Sequence, residues 1–329
     1  MTIKENRNHA VDLIKFIAAI LITNSHMASL YPERFRALAT GGAIGDGLFF
    51  FCSGFLLMRG GRTDFFNWYK RRINRIFPTI FAVSIIGMLF LGNNPTLKHV
   101  LVDGGGWFVQ AIMLFYALFW FVKNYLSEKL WVAYLLDVLV LLVWFIAFWD
   151  KDVSIFTFGT YYRWPVYFLI MLLGASLSKR ESETGQSPAR RKSLLLLFPL
   201  LIVLTGCFYG YQFIEATRPV LKCFQIILIP VLMCIVVTVY KICSNPGTIG
   251  LYRYVYWPVY YISACCLEIY LSGRWSFFVG EKLIGLFPLN LLVTFLLVFL
   301  VAYLVKVFSN FLSQTLKTER YDLKKMVEL

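Results

Sequence analysis

The stretch Trp68-Tyr69-Lys70-Arg71-Arg72-Ile73-Asn74-Arg75-Ile76-Phe77-Pro78 lies between two long apolar segments. Basic and aromatic side chains in such a position are typical of the place where a membrane-spanning chain meets the lipid headgroups. Apolar segments recur along the whole sequence, which is 59% hydrophobic and has a mean hydropathy of +0.68. We therefore predict one integral membrane domain over residues 1–329, with no fused soluble domain.

Ten apolar runs have roughly the length of a bilayer crossing, which takes about twenty residues, and they predict an all-α protein with about ten transmembrane helices. The predicted spans are Val11–Tyr31, Ala43–Met58, Ile76–Leu91, Trp107–Val122, Leu130–Trp149, Tyr161–Leu177, Ser193–Ile214, Val220–Ile242, Val255–Ser272 and Leu286–Leu312. Arg62–Arg75 is predicted to be a separate interfacial amphipathic helix, after which Pro78 redirects the chain. The polar segment 179–192 is predicted to be a loop.

Lysine and arginine are distributed unevenly between the connections. If the N-terminus is placed in the cytoplasm, the connections on the cytoplasmic side contain more than twice as many lysines and arginines as those on the outer side. Both termini are therefore predicted to be cytoplasmic. His26 then lies toward the outside and the arginine cluster toward the cytoplasm. The net charge of +14 is not accompanied by a basic stripe or a stacking motif, and no nucleic acid is expected as a partner.

The first predicted span carries Asp12, Lys15 and His26, and ionisable groups at membrane depth are candidates for function. Lys15 and His26 are eleven residues apart, which places them on one helix face about 16 Å apart along the axis. Two interpretations of His26 remain open: a general base that takes a proton from a hydroxyl, or a packing residue hydrogen-bonded to Thr23. Lys15 and Asp12 could form a simple ion pair within the membrane.

Arg71, Arg72 and Arg75 have the fork geometry that suits phosphate, although anchoring at the inner face explains such a cluster as well. In the second predicted span, Ser53 and Gly54 would allow close helix approach or a local break.

Other candidates lie further along the chain. Trp107 and Tyr116 suit an interfacial aromatic belt as well as a site, whereas Glu268 within a span is costly unless it is paired. His9 and His99 are predicted to be solvated, and the seven cysteines show no metal-ligand spacing with histidine, so no metal site is expected.

Taken together, these segments resemble acyltransferase family 3, the integral-membrane O-acyltransferases that modify bacterial surface glycans. The matching segments, in the family's order, are Asp12-Leu13-Ile14-Lys15 through His26, Leu48–Leu56, Arg72–Pro78, Trp107–Tyr116 and Cys266–Leu271. The sequence departs from the family pattern at Ile112 and Met113, where some members have an acidic pair, and at Gly273, where a histidine is common.

The resemblance implies transfer of an acyl group, most often acetyl, from cytoplasmic acetyl-CoA to a hydroxyl of a cell-surface polysaccharide or its lipid-linked precursor. It implies a multi-pass protein of the bacterial inner membrane, with acyl-CoA as donor substrate, no bound cofactor, membrane lipids as partners and a homo-oligomer left open.

The residue roles follow from the same resemblance. His26 would deprotonate the acceptor, Asp12 would hold Lys15, and Lys15 would assist Arg71, Arg72 and Arg75 in binding the CoA phosphates. Ser53 is a candidate donor to the oxyanion. The supporting positions are Trp107, Tyr116, Glu268 and Tyr270.

A multi-span transporter or flippase for a saccharide or lipid-linked sugar is the alternative function, because a histidine and paired charges within spans also suit proton-coupled transport. The sequence contains no internal repeat and no matched pair of Gly/Pro-broken spans, which many transporters have. A catalytically silent membrane scaffold is a third possibility, and it predicts that changes at His26 and Arg72 have no phenotype.

Overall fold

The structure, a computed structural model, describes residues 8–92, 96, 98, 100–101, 105–148, 154–156, 162–185, 194–317 and 320–329. It confirms the all-α prediction: 86% is helix, and the described part of the chain contains no strand. The α-helices are α1 His9–His26, α2 Gly42–Arg59, α3 Phe65–Leu91, α4 Gly106–Tyr125, α5 Leu130–Phe148, α6 Arg163–Thr184, α7 Leu194–Thr217, α8 Leu228–Cys243, α9 Pro246–Tyr252, α10 Tyr256–Ala264, α11 Cys266–Ser272, α12 Phe277–Lys282, α13 Leu289–Leu316 and α14 Leu323–Val327. Short 3-10 helices occur at Ala28–Leu30, Glu33–Leu38, Pro219–Ile227, Gly273–Ser276 and Ile284–Leu286.

Seven helical stretches of the described residues are long and apolar enough to cross a membrane, so the chain is a multi-pass membrane protein. They are Glu33–Arg59, Phe65–Leu91, Gly106–Tyr125, Leu130–Ala147, Leu194–Thr217, Val220–Cys243 and Leu289–Leu316. The other three predicted spans correspond to α1, α6 and the α10–α11 pair. The count of ten and the orientation of the termini stay predictions.

Helix α3 differs from the prediction of an interfacial helix followed by a separate span, because it runs unbroken through Pro78. The Asp64 side chain caps its start by accepting a hydrogen bond from the Asn67 backbone N–H at 2.9 Å, and this bond lowers the pKa of Asp64. Its end is set by Gly92, whose φ of +67° is the left-handed conformation that glycine adopts without strain. A proline is tolerated inside a membrane helix when neighbouring groups satisfy the freed carbonyl, which explains the unbroken helix.

Two further segments differ from the sequence-based boundaries. The predicted span Val255–Ser272 is interrupted at Cys265, which separates α10 from α11. The predicted loop 179–192 is helical over its first residues, since α6 continues to Thr184; residues 186–193 lie outside the described part of the chain.

The helices fall into two compact units. Unit 1 contains the chain up to Ala18, Ala43–Arg62 and Phe121–Tyr256. Unit 2 contains Ala19–Gly42, Thr63–Trp120 and Trp257–Leu329. Helix α1 therefore contributes its first half to unit 1 and its second half to unit 2.

Close contact between α2 and α6 organises unit 1. A Cβ atom added at Gly54 would come within 1.8 Å of the Met171 carbonyl oxygen, and one at Gly174 within 2.2 Å of the Phe51 carbonyl oxygen. No side chain fits at either position without moving a backbone. The predicted role of Gly54 in close helix approach is confirmed.

Polar contacts join the helix ends of unit 1. Lys123 of α4 donates to the carbonyls of Leu57 and Gly60 at the end of α2. Lys179 of α6 donates to Glu128 at 2.7 Å in the α4–α5 turn, and this hydrogen bond raises the pKa of Lys179 and lowers that of Glu128. These contacts hold α2, α4, α5 and α6 together at one end of the unit.

Unit 2 is built on α3 and α13, which pack directly against each other, and α11 contacts both helices. Asn74 near the start of α3 and Lys317 at the end of α13 line one cavity, whereas Thr79 lies level with Ser309. The two helices are therefore antiparallel, and the arginine cluster lies at the end of unit 2 where α13 finishes.

Candidate active site

His26 is the last residue of α1, and its imidazole is exposed. Its Nδ1 lies 3.5 Å from Nη2 of Arg274 in the 3-10 helix Gly273–Ser276. The hydrogen bond to Thr23, which was the packing alternative, is not formed between these two described residues. An accessible histidine at a helix end is consistent with the predicted base.

The turn that follows His26 is fixed by Asn24. Its side-chain amide donates to the carbonyls of Leu38 and Thr40, at 2.8 and 3.0 Å, while its oxygen accepts the hydroxyl of Tyr31 at 2.6 Å. These bonds leave the Asn24 side chain little freedom and hold the end of α1 in place.

Arg72 occupies an aromatic setting at the opposite end of unit 2. Its guanidinium carbon lies 4.6 Å from the ring centroid of Trp68 and 5.6 Å from that of Tyr116, within cation–π distance of both. Trp68 is held in place because its indole N–H donates to the Tyr116 carbonyl at 3.0 Å. The buried Nε of Arg72 has no hydrogen-bond partner in the described structure, and such a buried donor can be satisfied by an anion.

The two other predicted phosphate ligands are exposed on the same helix. Arg71 donates to the Thr63 hydroxyl at 2.8 Å, and Arg75 lies one turn beyond Arg72. The three arginines therefore differ in exposure. Arg72 is half-buried against aromatic rings, whereas Arg71 and Arg75 are exposed to solvent.

Glu268 forms the centre of a buried polar cluster between α3, α11 and α13. Its Oε1 accepts from the Thr79 hydroxyl at 3.0 Å and from Lys306 Nζ at 3.3 Å, and its side chain is 2% exposed. Thr79 also contacts the Ser309 hydroxyl at 2.9 Å. Because the single proton of Thr79 goes to the carboxylate, Ser309 must donate to Thr79. Glu268 is therefore paired, as its predicted cost in the membrane requires.

Tyr270 lies beside the start of α4. Its ring centroid is 5.1 Å from that of Phe108, and a Cβ atom at Gly106 would be 3.6 Å from its hydroxyl. Trp107 meets Phe108 edge to face. The matched segments 107–116 and 266–271 are thus neighbours in unit 2.

Asp12, Lys15 and Ser53 belong to unit 1. Asp12 is buried and Lys15 half-buried. The hydroxyl of Ser53 donates to the Phe49 carbonyl of its own helix at 3.0 Å, so this donor is occupied. The structure confirms that Lys15 and His26 share one helix, because both belong to α1.

The two ends of unit 2 are about a bilayer apart. Gly273, next to Arg274, lies against Val298 of α13, and Ser309 lies eleven residues further along that helix, about 17 Å away. Thr79 is level with Ser309, and Arg72 is about 10 Å beyond Thr79 along α3. The His26–Arg274 pair and the Arg72 side chain are therefore separated by a distance close to the roughly 30 Å of a hydrocarbon core.

The other histidines do not join this arrangement. His9 is half-buried and packs against Tyr252 in unit 1, with ring centroids 4.6 Å apart, so its predicted solvation is wrong. His99 lies outside the described residues. No group of three His, Cys, Asp or Glu side chains in the described ranges is placed to hold a metal ion.

Sequence reasoning missed Arg274, Thr79, Lys306 and Ser309. Arg274 meets His26 across 248 residues of sequence, and no local pattern links the two positions. Lys306 could have been recognised from the sequence, because a lysine inside the last predicted span requires a partner.

A family model described as an acyltransferase domain, acyltransferase family 3, matches residues 8–309, nearly the whole chain. No significant match is found among curated proteins, and none among solved structures.

Proposed function

The chain belongs to acyltransferase family 3, and on this basis we propose that it is a membrane O-acyltransferase that acetylates a glycan hydroxyl. The donor is acetyl-CoA from the cytoplasm, and the acceptor is a cell-surface polysaccharide or its lipid-linked precursor. The enzyme works in the bacterial inner membrane, with ten spans and both termini in the cytoplasm.

The separation of two polar sites along unit 2 is the observation that carries the proposal. CoA is anionic and cytoplasmic, and the arginine end offers a guanidinium within cation–π distance of two aromatic rings, a buried Nε without a hydrogen-bond partner and two exposed guanidinium groups. His26 is exposed at the other end, where an acceptor arrives from outside. A single donor molecule can occupy both sites only if its phosphates bind at the arginines and its thioester reaches through the membrane to His26.

In the proposed reaction His26 takes the proton of the acceptor hydroxyl as its oxygen attacks the thioester carbonyl. A carbon–oxygen bond forms, and the carbon–sulfur bond breaks. The CoA thiolate leaves and recovers a proton from the imidazolium. Within unit 1, Asp12 holds Lys15 in its charged form.

Transport of a saccharide or a lipid-linked sugar remains the alternative, and a direct assay separates the two functions. Protein purified in lipid nanodiscs is given labelled acetyl-CoA, with and without surface glycan from a strain that lacks the gene. An acyltransferase hydrolyses acetyl-CoA or moves label to the glycan. A transporter does neither.

The arginine end gives a second test. Arg72→Ala is expected to weaken acetyl-CoA binding about tenfold to a hundredfold, because one charged hydrogen-bonding group contributes about 1.5–3 kcal/mol. Arg72→Lys should recover little of this, since an ammonium lacks the planar fork. Binding is measured as protection from thermal unfolding by CoA.

Lys324→Ala is the matched control for Arg72→Ala. Lys324 is an exposed cation of α14 that has no part in the proposed donor site, so its loss should leave CoA protection unchanged. If CoA protects Arg72→Ala as well as it protects the wild type, the donor site is not at Arg72.

A further inference from the structure

The contact between His26 and Arg274 restricts what the acceptor can be. A guanidinium has only donors, so the imidazole Nδ1 that faces it at 3.5 Å holds a lone pair, and the neutral ring carries its proton on Nε2. The basic nitrogen therefore points at a positive charge. A hydroxyl that gives its proton to Nδ1 must enter beside Arg274.

Arg274 is exposed, and within the described part of the chain no carboxylate lies within ion-pair distance of it. The proton transfer at His26 would create a second positive charge next to this guanidinium, and the repulsion between two like charges at this distance opposes the transfer. A negative group brought by the acceptor would remove that opposition by pairing with Arg274. It would also draw the guanidinium away from Nδ1 and free the lone pair.

Charges around the site favour the same kind of acceptor. The 3-10 helix Glu33–Leu38, whose last carbonyl accepts a hydrogen bond from Asn24, exposes Arg34 and Arg36 together with Glu33, and Lys282 is exposed at the end of α12. Glu281, beside Lys282, accepts the Ser29 hydroxyl at 3.0 Å. With Arg274 included, these segments carry four cations and two carboxylates, so the surroundings of the end of α1 have a net positive charge that attracts an anionic polymer and not a neutral one.

We propose that the acceptor is an anionic glycan, and that its carboxylate or phosphate pairs with Arg274 while a nearby hydroxyl is acylated at His26. Because Nδ1 and the guanidinium are in contact, the anionic group and the hydroxyl belong to the same sugar residue or to adjoining ones. This inference rests on the proposed O-acyltransferase function and adds the acceptor class to it.

The alternative is that Arg274 only packs against His26 and orients its ring. An orienting residue affects the turnover of acidic and neutral acceptors equally. A residue that binds the acceptor changes the KM for the acidic acceptor and leaves the KM for acetyl-CoA unaltered.

The test uses a deletion strain complemented with the wild type, Arg274→Gln, Arg274→Lys or Arg218→Gln. Arg218 is an exposed arginine of unit 1 with no part in the proposed site and serves as the matched control. Mass analysis of the surface glycans identifies the acylated sugar and shows whether a carboxylate or a phosphate lies on it or on its neighbour. Purified protein is then assayed with labelled acetyl-CoA and that glycan, intact or with its acid groups reduced or removed.

We expect the acyl group on or next to an acidic sugar, and at least tenfold less transfer to the neutralised glycan. Arg274→Gln should raise the KM for the glycan at least tenfold, Arg274→Lys should retain part of the activity, and Arg218→Gln should stay within twofold of the wild type. An acyl group on a neutral sugar with no acid beside it, or equal use of both glycans, would overturn the inference and leave the proposed function intact. Unchanged glycan acylation in the deletion strain would instead remove the proposed function.

Discussion

Replacement of His26 by alanine is expected to lower glycan acylation by about a hundredfold to ten-thousandfold, which is the usual contribution of a general base. The side chain is exposed at the end of α1 and fills no core, so the protein should insert and fold as before. Acylation is measured by mass analysis of surface glycans from the deletion strain complemented with the variant. CoA should still protect the purified variant from thermal unfolding, because the donor end is untouched.

His9→Ala is the matched control for this change. His9 lies at the other end of α1, where it packs on Tyr252 in unit 1, and it should be dispensable for the reaction. If His26→Ala keeps acylation within twofold of the wild type, His26 has no place in the mechanism. A loss caused by both variants alike would point to damage to α1 and not to a missing base.

Glu268→Gln is expected to reduce the free energy of unfolding by about 3 kcal/mol. That is the lower end of the range for breaking a buried ion pair, because Lys306 keeps 24% of its side chain exposed. The amide fits the space of the carboxylate but leaves the ammonium without its counter-charge. Thermal unfolding in detergent measures the effect.

A double variant shows whether the lost stability comes from the unpaired charge of Lys306 or from the changed side chain at Glu268. Glu268→Met combined with Lys306→Met removes both charges and keeps similar volumes, and buried pairs replaced in this way often lose no stability. We expect it to recover most of the stability lost in Glu268→Gln. A Glu268→Gln protein as stable as the wild type would contradict the ion-pair account. A stable double variant that no longer acylates glycan would give Glu268 a direct part in the reaction.

Features set by local sequence could be predicted. Runs of apolar residues gave the helices, and periodicity placed Lys15 and His26 on one of them, because helical rise and rotation depend only on local spacing. Gly54 was recognised as a point of close approach, since only a residue without a Cβ allows it. The boundary at Pro78 was wrong because proline was read as a break, whereas α3 continues through it.

Features that depend on contacts between distant segments could not be predicted. The sequence shows that Glu268 needs a partner, but the choice of Thr79 and Lys306 follows from how α3 and α13 pack around α11. The aromatic contacts of Arg72 likewise depend on Tyr116, which lies on another helix. Arg274 contacts His26 only because the interrupted α10–α11 segment leads into a 3-10 helix at that position.

Transfer from cytoplasmic acetyl-CoA to a glycan on the other side of the membrane is tested most directly in vesicles of known orientation. Labelled acetyl-CoA, which does not cross bilayers, is added outside sealed inside-out or right-side-out vesicles that contain the protein and its glycan. The proposed function predicts labelled glycan in the lumen of inside-out vesicles, a strongly reduced signal with Arg72→Ala, and no label in right-side-out vesicles. Labelling of glycan in right-side-out vesicles, or in neither preparation, would contradict transfer across the membrane.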